Sequence, residues 1–252
     1  MRLPVVNHID YFAKIGDDHR FPINKFGELA NYLLKEKIVS KFYKPYPCSE
    51  ETLKRAHSEN YIKQIKNKTL DKISVKKIGF PLVESVVKRS FIATGGTVLA
   101  SKLAVNYGLA CNTAGGSHHA NFESGAGYCV FNDVAVAAKY LLDRNLAKKI
   151  LILDLDVHQG NGNSDIFKNN KNVFTFSMHS KTNYPSKKSI SDLDVELNDN
   201  MEDHDYLKIL KYYLVKLNQE KFDFVFYIAG VDIHFNDRLG KLKISDDGVR
   251  KR

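Results

Sequence analysis

The sequence predicts an α/β protein built on a mainly parallel sheet flanked by helices. Three observations lead there. Apolar runs such as Leu151-Ile152-Leu153 are unbroken, as strands covered on both faces require. Such runs alternate with stretches of helical apolar spacing, the pattern of strand–helix–strand crossovers. Polar residues able to bind metal or carry protons follow the ends of four predicted strands, the edge where open parallel sheets form ligand sites.

Taken in order, Phe26, Leu29, Ala30, Leu33 and Leu34 share one face and predict a helix over 25–37. A short strand over 38–43, closed by Pro45 and Pro47, precedes two short helices over 49–56 and 60–66. A longer helix over 82–106 carries Val83, Val86, Val87, Phe91, Thr94 and Val98 on one side. Gly95-Gly96 inside it costs about 1 kcal/mol per glycine relative to alanine, which predicts close packing against another backbone. A strand over 109–114 ends in Gly115-Gly116-Ser117-His118-His119. Asn132 reads as the N-cap of a helix whose apolar face is Val134, Ala137, Ala138, Leu141 and Leu142. A strand over 149–155, a short helix over 163–170 and a strand over 172–177 follow, the last ending in Ser177-Met178-His179. A loop rich in Lys and Ser leads to a helix over 201–218 and a last strand over 222–229, which ends in Gly230-Val231-Asp232.

A chain of 252 residues, 43% hydrophobic and 27% charged, can bury the core of one large α/β domain, so 1–252 reads as a single domain. There is no internal repeat, flexible linker or apolar run of membrane-spanning length. Asp10, Lys14, Asp17 and Asp18 interrupt any signal-peptide apolar region, which makes the cytoplasm the expected location. Cys48, Cys111 and Cys129 have no CxxC spacing and read as small buried hydrophobes. The net charge of +9 raises a nucleic-acid reading. The lysines are scattered, however, and the stretches over 63–77 and 181–188 read as solvated faces, which argues against direct nucleic-acid binding.

The chemistry concentrates after Leu151-Ile152-Leu153, where Asp154, Asp156 and His158 occupy every second position. Unpaired ionisable groups at the end of a core strand are costly, and a bound cation makes them favourable. Two carboxylates and an imidazole suit a borderline divalent metal such as zinc; the alternative is a solvated turn capped by Asp and Asn. Asp156, His158 and Asp232 form a candidate set for one Zn2+, with positions left for water and substrate. A bound cation acidifies its water and polarises a carbonyl. Attack on an amide also needs a base and an acid. His118 and His119 suit both roles if each is oriented through its other ring nitrogen, for which Asp154 and Asn161 are the candidates.

Gly115-Gly116-Ser117-His118-His119-Ala120, Gly125-Ala126-Gly127-Tyr128-Cys129, Asn132-Asp133, the run from Asp154 to Gly162, and Ala229-Gly230-Val231-Asp232 together resemble the histone deacetylase family of the arginase/deacetylase superfamily. The resemblance runs from His19-Arg20-Phe21-Pro22 through Asp237-Arg238-Leu239-Gly240. It is closest to the class IV branch and its bacterial relatives, where Gln-Gly-Asn-Gly follows the metal-binding histidine. It implies an arginase/deacetylase-like fold and zinc-dependent hydrolysis of an acylated lysine peptide or a small acylated amine. On that resemblance Asp156, His158 and Asp232 are the zinc ligands and His118 and His119 the catalytic pair. Asp154 orients His118 and Asn161 orients His119. Gly127 and Tyr128 line the acyl-lysine tunnel. Asp154, Asp156, His158, Ser177 and Met178 match a structural monovalent-cation site, usually K+.

The resemblance also implies a chain truncated at its C-terminal end relative to the family, without the last strand-helix unit. The family's tyrosine after a Gly-Gly pair has no counterpart beyond Asp232. Losing one such oxyanion donor typically costs about 10²–10³ in rate. Two functions therefore stand side by side: a zinc-dependent deacetylase or deacylase, and a silent relative that binds metal and acylated ligands. An arginase-like two-metal site fits less well, because Gly160 stands four residues after Asp156 and His234 two after Asp232.

Overall fold

Parallel pairing is observed throughout both sheets of the protein, a computed structural model that describes residues 3–252. Residues 1 and 2 of the single domain expected over 1–252 lie outside the described residues. The described residues form two compact units, 3–146 and 147–252.

In the first unit, β1 (Val5–Val6) pairs with β2 (Cys111–Asn112), and Tyr43 bridges to Val6. A 3-10 turn (Ile9–Tyr11) and five helices lie between these strands: α1 (Lys25–Lys35), α2 (Glu50–Leu53), α3 (Glu59–Asn67), α4 (Lys72–Ile78) and α5 (Glu84–Tyr107). Then α6 (Asp133–Asp143) packs along α5. The side chains of Ser49, Ser58 and Asp71 cap α2, α3 and α4, each accepting a backbone N–H of the first turn. Gly95 lies against the backbone of Tyr46 and Cys48, as the paired glycines predict, whereas Gly96 lies against the Tyr11 side chain.

The strand expected over 38–43 does not form. Lys37 turns left-handed at φ 55°, and the N–H groups of Ile38 and Val39 return to the Leu33 carbonyl, closing α1 instead of entering a sheet. Only Tyr43 pairs, and the strand expected over 109–114 shrinks to β2. Cys48 and Cys129 are buried as expected, but Cys111 is exposed. The lysine-rich stretch is solvated yet helical. With only Ile78 buried, α4 leaves no apolar periodicity to read.

The second unit holds a sheet in the order β5-β4-β3-β6: β3 (Ile150–Asp154), β4 (Val173–Ser180), β5 (Leu193–Leu197) and β6 (Phe224–Ile228). Helices α7 (Asn161–Phe167), α8 (Asp203–Leu217) and α9 (Asp246–Lys251) accompany it. Leu151, Phe176, Val195, Tyr206, Leu210 and Leu217 share one core. From β3 the chain adds β4 and β5 on one side, then returns to place β6 on the other. The crevice beyond the ends of β3 and β6 is thus a topological switch point, where ligands bind in such sheets. Ser177-Met178-His179 lies inside β4 rather than after it, because the strand runs on to Ser180 opposite β5. Strand β5 falls in the stretch expected to be loop, although its Leu-Asp-Val-Glu-Leu alternates apolar and charged residues as a half-buried strand does; the Lys- and Ser-rich surroundings mask so short a run. Among the described residues no helix is long and apolar enough to cross a membrane.

Candidate metal centre and histidine pair

Strand alternation continues past the end of β3. Leu155 and Val157 turn into the core, leaving Asp156 and His158 on the opposite side, each half-buried. After β6, the turn Ala229-Gly230-Val231 brings Asp232 to the same place. His158 Nδ1 lies 2.9 Å from Asp156 Oδ1 and 3.1 Å from Asp232 Oδ2. One ligand atom from each of these three residues falls within 4.8 Å of the others, a geometry that can hold a metal ion.

Backbone groups fix the carboxylates. Asp156 Oδ1 accepts the His158 N–H at 2.8 Å, and Asp232 Oδ1 accepts the Val157 N–H at 3.0 Å. Burial alone would depress the His158 pKa, but hydrogen bonds and charge from Asp156 and Asp232 outweigh it and raise it to about 10. Burial, and then the charge of Asp156, pushes Asp232 up to about 6 against the pull of His158. Two carboxylates thus converge on one ring nitrogen and favour a positive charge between them. That donor set of two carboxylate oxygens and an imidazole nitrogen fits zinc.

Two close approaches shape this centre. A Cβ on Gly230 would stand 2.2 Å from Asp156 Oδ2, so the carboxylate occupies space that only glycine leaves. Arg252 Nη1 donates to the Gly230 carbonyl at 2.6 Å and the Leu155 carbonyl at 3.3 Å, joining the strand ends that carry the candidate ligands. Sequence reasoning missed Arg252, and no motif around it signals that contact.

Asp154 ends β3, is 2% exposed and accepts the Asp156 N–H at 3.1 Å. It stands in register with Ser177 on β4. The Ser177 hydroxyl hydrogen-bonds His179 Nδ1 at 2.9 Å, and Met178 is fully buried. Asn161 opens α7. A Cβ on Gly160 would meet Asp154 Oδ2 at 2.2 Å. The second unit therefore brings together Asp156, His158 and Asp232, and sets Asp154 at the end of β3 beside Ser177 within β4.

The first unit holds the remaining candidate residues. His118 and His119 are 3% and 5% exposed, with ring centroids 4.1 Å apart. Gly127, left-handed at φ 54°, lies against the His119 ring; a Cβ there would be 2.6 Å from Cδ2. Tyr128 is left-handed too, at φ 64°, and its N–H donates to the Ile78 carbonyl at the end of α4. Its ring packs with those of His19, Phe21 and Phe80 at centroid distances of 5.8, 5.3 and 5.3 Å. Helix α4, invisible in the sequence pattern, is therefore what holds the Gly127-Tyr128 turn.

A histone deacetylase domain matches residues 19–252, running through both units. An uncharacterised protein of Picosynechococcus is 45% identical over 255 residues, covering 100% of this chain and 85% of that protein. Histone deacetylase 2 of Arabidopsis thaliana is 33% identical over 253 residues, 96% of this chain and 65% of that protein. Human histone deacetylase 1 is 28% identical over 88% of this chain, which spans 50% of that protein. Among solved structures, an HDAC homologue complexed with SAHA superimposes with a TM-score of 0.88 at 23% identity, over 100% of this chain and 74% of that one. An HDAC homologue from Aquifex aeolicus gives 0.87 at 22% identity, over 100% and 74%. The chain belongs to the histone deacetylase family.

Proposed function

We propose that this protein is a zinc-dependent deacetylase or deacylase, hydrolysing the amide of an N-acylated lysine or a related small amine. The observation that carries the reading is the convergence of Asp156, His158 Nδ1 and Asp232 beyond β3 and β6. These three would hold one Zn2+, which when bound supplies an acidified water and a polarised substrate carbonyl. His118 and His119 take the water proton and return one to the leaving amine, with Asp154 orienting His118 and Asn161 orienting His119. The half-buried Gly127 and Tyr128 flank the aliphatic stem of the substrate, which suits the aromatic cluster around Tyr128. The backbone around Asp154, Asp156, His158 and Met178, with the Ser177 hydroxyl, holds a structural K+. Residues 1–252 act as one histone-deacetylase-like domain, nearest the class IV branch, and the thiols of Cys48, Cys111 and Cys129 suit the reducing cytoplasm.

The test is metal analysis of the purified protein, with release of acetyl and longer acyl groups from lysine peptides and Asp156→Ala as control. One zinc per chain and turnover lost in the variant support the enzyme. Zinc without turnover favours a silent relative that binds metal and acylated ligands. A folded protein without zinc affinity sinks the metal reading.

A further inference from the structure

Both flanks of the His118-His119 dipeptide are tied to one helix end. On the leading side, the Asp133 carboxylate accepts the Ser117 N–H at 2.7 Å through Oδ1 and the Gly116 N–H at 3.1 Å through Oδ2. Oδ2 also accepts the Thr97 hydroxyl of α5. Thr97 Oγ1 in turn accepts Asn112 Nδ2 at 3.0 Å, and Asn112 Oδ1 accepts the Tyr11 hydroxyl at 2.8 Å. On the trailing side, Asn132 Nδ2 donates to the Ala120 carbonyl at 3.0 Å. The His118 N–H donates to the Gly116 carbonyl at 2.8 Å, so the anchored turn passes straight into the first histidine.

Helix capping does not account for Asp133. Asn132 is the cap, its Oδ1 accepting the Ala135 N–H at 2.8 Å, while the donors to Asp133 all come from outside α6. The residue is 1% exposed, and a carboxylate so buried is tolerated when several donors satisfy it. Gly115 makes the approach possible. At φ 101° it lies where a Cβ would stand 2.4 Å from Asp133 Oδ2 and 2.7 Å from Thr97 Oγ1. An Asn at 133 would leave one acceptor oxygen and turn an NH2 group toward one of the three donors.

We propose that Asp133 is a positioning residue: its buried carboxylate, braced by Thr97, sets the backbone of the 115–117 turn and thereby the placement of both imidazoles. This rests on the reading of His118 and His119 as the proton-transfer pair. A displacement of about 1 Å at such a pair is enough to cost on the order of 10²-fold in rate.

The experiment compares Asp133→Asn, Thr97→Val and Thr97→Ser with the unaltered chain for kcat, KM, zinc stoichiometry and melting temperature. It also follows the imidazole signals of protein labelled with 13Cε1-histidine. In Asp133→Asn, kcat should fall at least tenfold, with KM and bound zinc within twofold of the parent. The His118 and His119 signals, assigned by single substitution, should shift while the other histidines stay. Thr97→Val should show the same split more weakly, and Thr97→Ser should restore the parent values. A folded Asp133→Asn with kcat within twofold of the parent and unmoved His118 and His119 signals overturns the proposal. If Asp133→Asn does not fold, Thr97→Val decides by the same criteria. If the unaltered chain does not turn over at all, the functional reading has failed separately, and the histidine signals alone decide the anchor.

Discussion

Asp232 meets His158 across the junction of β3 and β6 with its two oxygens divided. Oδ1 takes the Val157 N–H at 3.0 Å, and Oδ2 lies 3.1 Å from the imidazole Nδ1. One oxygen locks the carboxylate to the neighbouring strand end while the other is offered toward the centre. Asp232→Ala removes a ligand and the lock together, and zinc affinity should fall at least a hundredfold in a chelator competition titration. Asp232→Asn keeps the lock and loses the charge, and should fall between. Removing metal with a chelator should abolish turnover, and added zinc should restore it.

Gly230→Ala tests the space beside Asp156, since its Cβ would meet Oδ2 at 2.2 Å. Zinc affinity should drop at least tenfold with far-ultraviolet circular dichroism unchanged. The exposed neighbour Val231 supplies the control, and Val231→Ala should bind zinc as the parent does. Equal affinity in both variants would mean that the Asp156 carboxylate is free to move.

Gly127→Ala adds two penalties in the other unit: a left-handed backbone at φ 54°, worth about 1–2 kcal/mol for a residue with a Cβ, and a contact 2.6 Å from His119 Cδ2. The expected result is a fall in kcat of tenfold or more with one zinc still bound. Loss of zinc in this variant would contradict the division of labour between the units.

His57 gives the pH dependence. It is 1% exposed, and its Nε2 accepts the Asn132 N–H at 2.8 Å. Burial pushes its pKa down from 6.5 to about 4, against backbone contacts from Asn121 and Phe122 that raise it. A depressed folded-state value means the native state prefers the neutral ring. Its contribution is therefore complete above pH 6.5 and is lost as pH falls toward 4, roughly 3 kcal/mol in all. Melting temperature should drop over that window. His57→Gln, which can accept the same N–H without taking up a proton, should flatten the profile.

Thiol labelling separates the cysteines. Burial pushes the Cys48 thiol up to about 12, and Cys129 is buried, whereas Cys111 on β2 is exposed. A maleimide should modify native protein once, at Cys111, and three times after unfolding. Labelling of Cys48 at a comparable rate would show that the α2 region opens readily.

The clustering of Asp156 and His158 was legible because a strand pattern runs into them at alternate positions, where partly buried ionisable groups gain from a shared partner. Asp232 was legible from its position after another apolar strand. Pairing length was not: residues 38–43 have strand composition, but the left-handed Lys37 diverts the first N–H groups into the end of α1. Helix α4 was hidden because it buries too few residues to leave a period, whereas β5 does alternate, in Leu-Asp-Val-Glu-Leu, but over a short run beside a polar loop. Asp133 could be read only as part of a motif, since its partners Thr97, Gly116 and Ser117 approach it through tertiary contacts. Arg252 reaches Gly230 and Leu155 in the same way, over separations of 22 and 97 residues.

The strand order has a consequence for how the second unit stays closed. Among the described residues, β6 is the outermost strand on its side of the four-stranded sheet and is joined to it through β3. An edge held by a single ladder is where such a sheet begins to fray. An ion shared by Asp156, His158 and Asp232 would staple that edge at its carboxyl end. It would close a loop of about the 75 residues that separate Val157 from Asp232, with α7, β4, β5, α8 and β6 inside it. Closing a loop of that size takes roughly 4 kcal/mol of conformational freedom from the unfolded chain on the entropic account. Metal supply would then set how tightly the edge is held, and amide exchange along β6 would slow when zinc binds, whether or not substrate is present.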